Sequence, residues 1–430
     1  MLLDHDEPMN YEEAMMSPDS MKWLEAMKSE MGSMYENKVW TLVDLPDDRQ
    51  AIENKWIFKK KTDADAMLES VRIMLAIATF YDYEIWQMDV NTSFLNGYLK
   101  KELYMMEPKG FVDPKGANKC DQSIWFYTFG EACIYKKVSG SSIAFLILYV
   151  DDILLIRNGA EFLNSIKGYL NKNFSMKDLG EAAYILGIKI YRDRSRRLIG
   201  LSQSTYLDKV LKKFKMDQAN KGFLPVLQSV KLRRYQSNPG VDHWTTVKTI
   251  LKCLKRTKDM FLIYGGEKEL VVNGYVDASF DSDPDDSKSQ NGYIFLLNGG
   301  AVCWCSSKKS IMAGSTCEAE YIAALEAENE GVWMKEFISY LGIIHSASGP
   351  MKILCDNTGA VALAKKSRFH KRTKHIKRCF NSIRDQVKEG DIEICKIHTD
   401  LNVADPLTKP LSRAKHDQHQ DSMGVRIITM

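Results

Sequence analysis

Apolar positions along the 430-residue chain follow two rhythms, and the change from one to the other divides it. In the first half, helical patterns with apolar residues every three or four positions stand between short alternating or wholly apolar runs. Ser17 and Pro18 suit the cap and first turn of a helix with Met21, Leu24, Met27, Met31 and Met34 on one face and Trp23 beside them. Val39 to Val43 and Lys55 to Lys61 alternate as strands, the second very basic at its far end. Val71 to Tyr81 suits a buried helix that leads into a strand from Ile85 to Val90. Asn96-Gly97 is a hairpin signal, with Glu102 to Met106 as the returning strand. The run FLILYVDDILLI, Phe145 to Ile156, reads as two buried strands with Asp151 and Asp152 at the turn between them. A helix from Ala160 to Phe174, strands from Ala183 to Tyr191 and Leu198 to Leu201, and a helix from Thr205 to Phe214 complete this half. Met216 to Pro239 carries no clean period and reads as a linker.

After a helix from His243 to Arg256 and a strand from Met260 to Tyr264, three strands follow closely: Leu270 to Asp277, Gly292 to Leu297 and Ala301 to Cys305. Ser315 and Glu318, at capping-box spacing, open a long helix. A strand from Lys352 to Asp356, two helices, a strand from Ile392 to Ile397 and a last helix from Asn402 end the pattern. Three strands followed by alternating helix and strand predict a mixed sheet with helices against it. The fold class expected for the whole chain is mixed α/β (α+β).

Composition narrows the setting. No apolar run approaches the ~18 residues of a membrane span, and nine cysteines without a CxxC pair argue against a zinc framework and for reduced thiols. The expectation is a soluble protein of the cytoplasm or nucleus. A net charge of +3 is nearly neutral, so any nucleic-acid surface must be local. The most basic stretch is Lys365 to Arg378, which suits a phosphate track as well as a solvated face.

The acids carry the candidate chemistry. Buried ionised carboxylates cost several kcal/mol each unless a cation or donors answer them. Asp151-Asp152 invites a divalent metal, although Asp also makes good turns. Asp89, at the end of another strand, favours the metal. In the second half Asp277 and Asp356 end strands, Glu320 stands early in the long helix and Asp405 falls in the last helix. Taken singly, Asp356 could cap a helix and Glu320 could be a solvated helix residue. Carboxylates from separate segments that converge on one sheet edge would suit two cations ~4 Å apart, as in phosphodiester hydrolysis.

Two sets of motifs then carry a resemblance. Tyr-Val-Asp-Asp with QMDVNTSFLNGYL, together with EEAMMSPDSMKWLEAM, NKVWTLVDLP and NKWIFKKKTDADA, resembles the reverse transcriptase of copia-type retrotransposons. GYVDASF, NGYIFLLNGGAVCWCSSKK, STCEAEYIAA, CDNTGAVALA, RTKHI and NVADPLTKPL, in that order, resemble the RNase H domain of copia-type Pol polyproteins nearly end to end. The resemblance implies a loose start (1–16), a palm/fingers-like reverse transcriptase domain (17–215), a connection (216–266), an RNase H-like domain (267–415) and a tail (416–430).

It implies catalytic and metal-ligand roles for Asp89, Asp151 and Asp152 in the palm and for Asp277, Glu320, Asp356 and Asp405 in the RNase H domain, with two Mg2+ per site and Mn2+ as a substitute. Glu318 is the rival of Glu320, which directly precedes the bulky Tyr321 as the family's acid does. Phe94 matches an aromatic gate beneath the sugar of the incoming nucleotide. Lys371, Arg372, Lys374 and His375 fall where a hybrid backbone would lie, and His375, ahead of His398, would assist product release or proton transfer. The implied partners are RNA template, DNA primer, RNA/DNA hybrid, dNTPs and other polyprotein products, with no membrane.

The resemblance also breaks in three places. A basic fingers stretch is missing where Ser70 runs into Val71, a template-supporting segment near Gln122 to Cys133, and thumb-proximal segments near Leu232 and Arg233. It thus implies an internally deleted polymerase whose nucleotide grip is impaired beside a more complete RNase H; an inert nucleic-acid-binding remnant is the alternative.

Overall fold

A computed structural model describes residues 10–17, 20–36, 42–44, 65–90, 104–106, 119–122, 134–149, 152–158, 161–174, 176–223, 240–280, 288–309, 313–343, 349–365 and 377–428. The chain divides into two compact units, one of residues 1–68 with 84–182 and one of residues 69–83 with 183–430. It is a mixed α/β protein.

The first unit is built on a five-stranded antiparallel sheet in the order Ile134–Ser139, Ser142–Tyr149, Asp152–Arg157, Glu84–Val90, Met176–Glu181. The apolar run that reads as a hairpin forms one, with Tyr149 opposite Asp152. Helix Glu161–Asn173 lays Leu163, Ile166 and Leu170 on this sheet against Met88, Ala144, Ile153 and Leu155. Spacings of three and four put those leucines and isoleucine on one helix face, and their burial stabilises the unit by roughly 1.5–3 kcal/mol per side chain. Strand Tyr104–Met106 corrects one expectation. It pairs with Lys119–Gln122 in a separate three-stranded sheet and does not return along the Asp89 strand. Both edges of Glu84–Val90 are already taken by Asp152–Arg157 and Met176–Glu181. The Asn96-Gly97 turn, Lys55 to Lys61 and the Ser17-Pro18 cap fall wholly or partly outside the described residues. Helix Tyr11–Met16, capped by Asn10, stands where the sequence suggests a loose start.

In the second unit, one five-stranded antiparallel sheet runs in the order Val425–Arg426, Phe261–Tyr264, Leu198–Ser202, Ile188–Asp193, Tyr184–Ile185. Pairing of Ile199, Gly200 and Leu201 with Tyr264, Ile263 and Leu262 places residues 183–215 with this unit, where the periodicity alone groups them with the first half. The run expected as one strand from Ala183 to Tyr191 is folded back at Leu186 and Gly187, whose φ values of 51° and 75° make a two-residue turn of the kind that matches strand twist. The expected tail forms helix Arg413–Ser422 and the edge strand Val425–Arg426.

The other sheet of this unit has the order Gly300–Lys308, Gln290–Leu297, Asn273–Ser279, Met351–Cys355, Ile392–Lys396. Its first three strands are antiparallel and its last two run parallel to Asn273–Ser279, the mixed sheet expected from three strands followed by alternating helix and strand. Helix Thr316–Leu341 packs on it and has Ser315 as its cap, accepting the Glu318 N–H at 3.2 Å. Small buried residues, Ala319, Ala323, Ala327 and Gly331, let this helix approach closely. From Glu69 onward helix Asp65–Phe80 belongs to the same unit, with Val71 and residues 73–78 buried: Asn298 Nδ2 donates to the Ala76 carbonyl at 3.0 Å and Arg72 Nη1 to that of Val302 at 3.3 Å.

Candidate metal centre

Four acids from four separated segments meet beside the central strand. Asp277 stands near the end of Asn273–Ser279 and is 1% exposed, because parallel and antiparallel neighbours flank its strand on both sides. Asp356 is the first residue past Met351–Cys355, the parallel neighbour, so the two strands deliver their carboxylates to the same edge. Asp405 opens a single turn of 3-10 helix, Asp405–Leu407, and is also buried. Carboxylate oxygens of Asp277, Asp356 and Asp405 lie within 4.8 Å of one another, and Glu320 and Cys355 group with Asp356 at the same spacing. Glu318 turns away: its carboxylate accepts the Gly314 N–H at 2.8 Å and belongs to the helix start.

Placing Asp405 in a helix from Asn402 is a further expectation that the structure corrects. Thr399–Leu401 and Asp405–Leu407 are isolated 3-10 turns, and the helix begins only at Arg413. Pro410 can donate no backbone hydrogen bond and disfavours helical geometry at Lys409, so winding stops after one turn. That turn is held in place from three sides. Asn402, fully buried, donates to the Val276 carbonyl at 2.9 Å; Ser306 Oγ donates to the Leu407 carbonyl at 2.6 Å; Thr408 Oγ1 donates to Asp277 Oδ2. Gly292 makes the docking possible, because a Cβ there would come 2.7 Å from Leu407 Cβ and 2.8 Å from Thr408 Cγ2.

Electrostatics follow from burial of like charges. Glu320 is pushed up to about 8, first by burial and then by Asp277 and Asp356. Burial likewise lifts Asp277 to about 6, against the pull of the Thr408 hydrogen bond and Lys409. Asp405 is raised by burial as well, with Lys409 opposing. Lys409 Nζ stands 3.0 Å from Asp405 Oδ1 and 3.6 Å from Asp277 Oδ2. Lys309, buried at the end of its strand, donates to the Ala319 carbonyl under the first turns of the long helix. Burial pushes the Cys355 thiol up to about 12, so it stays protonated and reaches Glu320 Oε2 as a donor at 3.9 Å.

In the first unit, antiparallel register sets Asp89 opposite Asp152, and Gln87 Nε2 donates to Asp152 Oδ1 at 3.2 Å. Asp151, Phe94, Lys371, Arg372, Lys374 and His375 lie outside the described residues. His398 is exposed and accepts the Asp400 N–H through Nδ1 at 3.2 Å, capping its own turn. Thr408, Lys409, Asn402 and Lys309 are the site residues that the sequence reading does not single out. Asp405 and Lys409 sit at i, i+4, the one signal that could have found the lysine.

Known proteins extend this picture. The family model described as reverse transcriptase (RNA-dependent DNA polymerase) matches residues 65–125 and 126–228. The retrovirus-related Pol polyprotein from transposon TNT 1-94 of Nicotiana tabacum is 32% identical over 99% of this chain, and that from transposon RE2 of Arabidopsis thaliana is 28% identical over 94%. Over nearly its whole length the chain is similar to the retrovirus-related Pol polyproteins of plant transposons. It spans 39% of the tobacco Pol and 34% of the Arabidopsis one. The alignment with the tobacco Pol is 526 positions long, so at least 96 of them are gaps in a chain of 430 residues. Among solved structures, LC11-RNase H1 in complex with RNA/DNA hybrid is 16% identical with a TM-score of 0.24, covering 32% of this chain and 93% of that one. Among the described residues, no helix is long and apolar enough to cross a membrane.

Proposed function

We propose that this Pol segment cleaves the RNA strand of an RNA/DNA hybrid at the cluster of Asp277, Glu320, Asp356 and Asp405. The observation that carries the reading is the gathering of acids from separate segments around Asp356: Asp277, Asp356 and Asp405 lie within 4.8 Å of one another, and Glu320 groups with Asp356 at the same spacing. Nothing in packing favours such a group, since burial and mutual repulsion drive Glu320 to about 8. The acids fit a hard divalent cation, since they offer carboxylate oxygens, and the thiol grouped with them, Cys355, stays protonated. Asp277, Glu320, Asp356 and Asp405 would hold two Mg2+, with Mn2+ able to replace them. Bound there, such ions supply activation of the attacking water and stabilisation of the leaving oxygen. Thr408 fixes the Asp277 carboxylate by donating to Oδ2, and Asn402 fixes the turn that presents Asp405. Lys371, Arg372, Lys374 and His375 are the proposed contacts to the hybrid backbone, where shape and the 2′-hydroxyl are read in place of base identity.

The first unit is a polymerase palm in this reading, with Asp89, Asp151 and Asp152 as its Mg2+ ligands, Phe94 as its sugar gate, and template RNA, DNA primer and dNTPs as its substrates. The pairing of Asp89 with Asp152 supports it. The gaps against the tobacco Pol and the split of the family match at residues 125 and 126 support an internal deletion. Without the cationic grip on the triphosphate, polymerisation should be slower by orders of magnitude. The gaps favour a second reading for this half alone, that of a binding remnant without turnover. Other Pol products are its proposed assembly partners.

The test uses the full chain with Mg2+ and an end-labelled RNA/DNA hybrid. Cleavage of the RNA strand by the wild type and its loss in Asp277→Asn, with hybrid binding kept, is the expected result. Equal behaviour of the two proteins would overturn the nuclease reading.

A further inference from the structure

The acid cluster already contains a cation of its own. Lys409 Nζ lies between Asp405 Oδ1 at 3.0 Å and Asp277 Oδ2 at 3.6 Å, two groups that otherwise stand buried at 3% and 1% exposure. The lysine side chain is itself about one-third exposed, so its ammonium reaches the cluster from the solvent side. Its backbone is anchored by the same turn that presents Asp405, through Lys409 N–H to the Asp405 carbonyl at 3.2 Å. The ammonium therefore arrives with the carboxylate it neutralises. A divalent ion held by Asp277 and Asp405 would compete with this ammonium for the same two negative charges.

We propose that Lys409 is a tethered counter-cation of this cluster, which holds Asp277 and Asp405 together and competes with any divalent ion that these two residues would hold. The proposal rests on the reading of the cluster as a metal centre. Lys409 is thus a positioning residue whose charge sets how much divalent ion the site requires. Long, flexible lysine suits the task, since a strongly hydrated ammonium gains water when it leaves. The consequence is directional. Removing the charge tightens binding of the metal, whereas loss of a purely structural contact would loosen the turn and weaken it.

The experiment is isothermal titration of the full chain with Mn2+ alone, for the wild type, Lys409→Met, Lys409→Arg and Asp277→Asn. The expected result is about tenfold tighter binding in Lys409→Met, equivalent to ~1.4 kcal/mol, wild-type affinity in Lys409→Arg and loss of binding in Asp277→Asn. Unchanged or weaker binding in Lys409→Met, with the wild type still binding and Asp277→Asn not, would overturn the proposal and leave the metal centre standing. Tightening in Lys409→Arg equal to that in Lys409→Met would overturn it too, because the charge would then be irrelevant. No binding by the wild type or by Lys409→Met would overturn the proposal together with the reading beneath it. Should Lys409→Met melt early without metal, Lys409→Gln, which keeps a polar tip, carries the same expectation.

Discussion

Replacing Glu320 by glutamine should stabilise the metal-free protein, and increasingly so as pH rises. The side chain is 7% exposed in the long helix and faces Asp277 and Asp356. Burial first, then those two acids, lift its carboxyl from 4.5 to about 8. The folded state therefore holds the proton more tightly than the unfolded chain. The stability that this group contributes is complete below about pH 4.5 and is lost as pH climbs to about 8. At ~1.4 kcal/mol per pH unit, the loss is on the order of several kcal/mol. Glutamine has nearly the shape of the protonated acid and does not ionise. Urea unfolding of the second unit in the presence of a chelator, followed by circular dichroism at about pH 5 and about pH 9, reads the difference. The gap between Glu320→Gln and wild type should widen by a few kcal/mol at the higher pH. A gap constant to within ~1 kcal/mol would refute the claim that this carboxylate is buried among like charges.

Other outcomes follow from the same geometry. Gly292→Ala should lose roughly 1–3 kcal/mol, read as a lower thermal midpoint, because its Cβ meets Leu407 and Thr408 at under 3 Å and displaces the Asp405 turn. Asn402→Ala leaves the Val276 carbonyl without its buried donor and should cost ~1–3 kcal/mol in the same assay. Leu170→Ala in the first unit removes a side chain packed against Met88 and Leu155 and should cost ~2–5 kcal/mol by urea titration. Arg157 is 1% exposed and pairs with Glu84 at 2.5 Å, while its Nε and Nη1 have no partner among the described residues. Joint replacement of Arg157 by Met and Glu84 by Gln should therefore leave stability unchanged or higher, whereas Arg157→Ala alone should lower it.

Period and punctuation in the sequence carry much of this fold. The helix at Glu161–Asn173 and the hairpin around Asp152 follow from spacing, since an apolar face three or four residues apart can be buried in only one way. Pairing of distant strands was not legible in the same way. Nothing local in Tyr104–Met106 says that it joins Lys119–Gln122, and nothing local in Val425–Arg426 says that it edges Phe261–Tyr264. The break at Leu186-Gly187 is not legible because leucine seldom takes positive φ, so the pair does not look like a turn. At the acid cluster, Asp277 and Asp356 stand at strand ends, but it is the surrounding motifs, GYVDASF, STCEAEYIAA, CDNTGAVALA and NVADPLTKPL, that single out the four carboxylates. Thr408, Asn402 and Lys309 do not stand out, because their roles are hydrogen bonds to groups far away in the chain. Near Asp405 the local signal is Pro410, which stops the winding after one turn.

The central claim is that Asp277, Glu320, Asp356 and Asp405 together hold divalent metal. Anomalous diffraction from crystals of the full chain grown with Mn2+ tests it most directly. The account predicts strong manganese peaks within bonding distance of the Asp277, Asp356 and Asp405 carboxylates. Crystals that bind manganese elsewhere while this cluster stays free of anomalous density would contradict it.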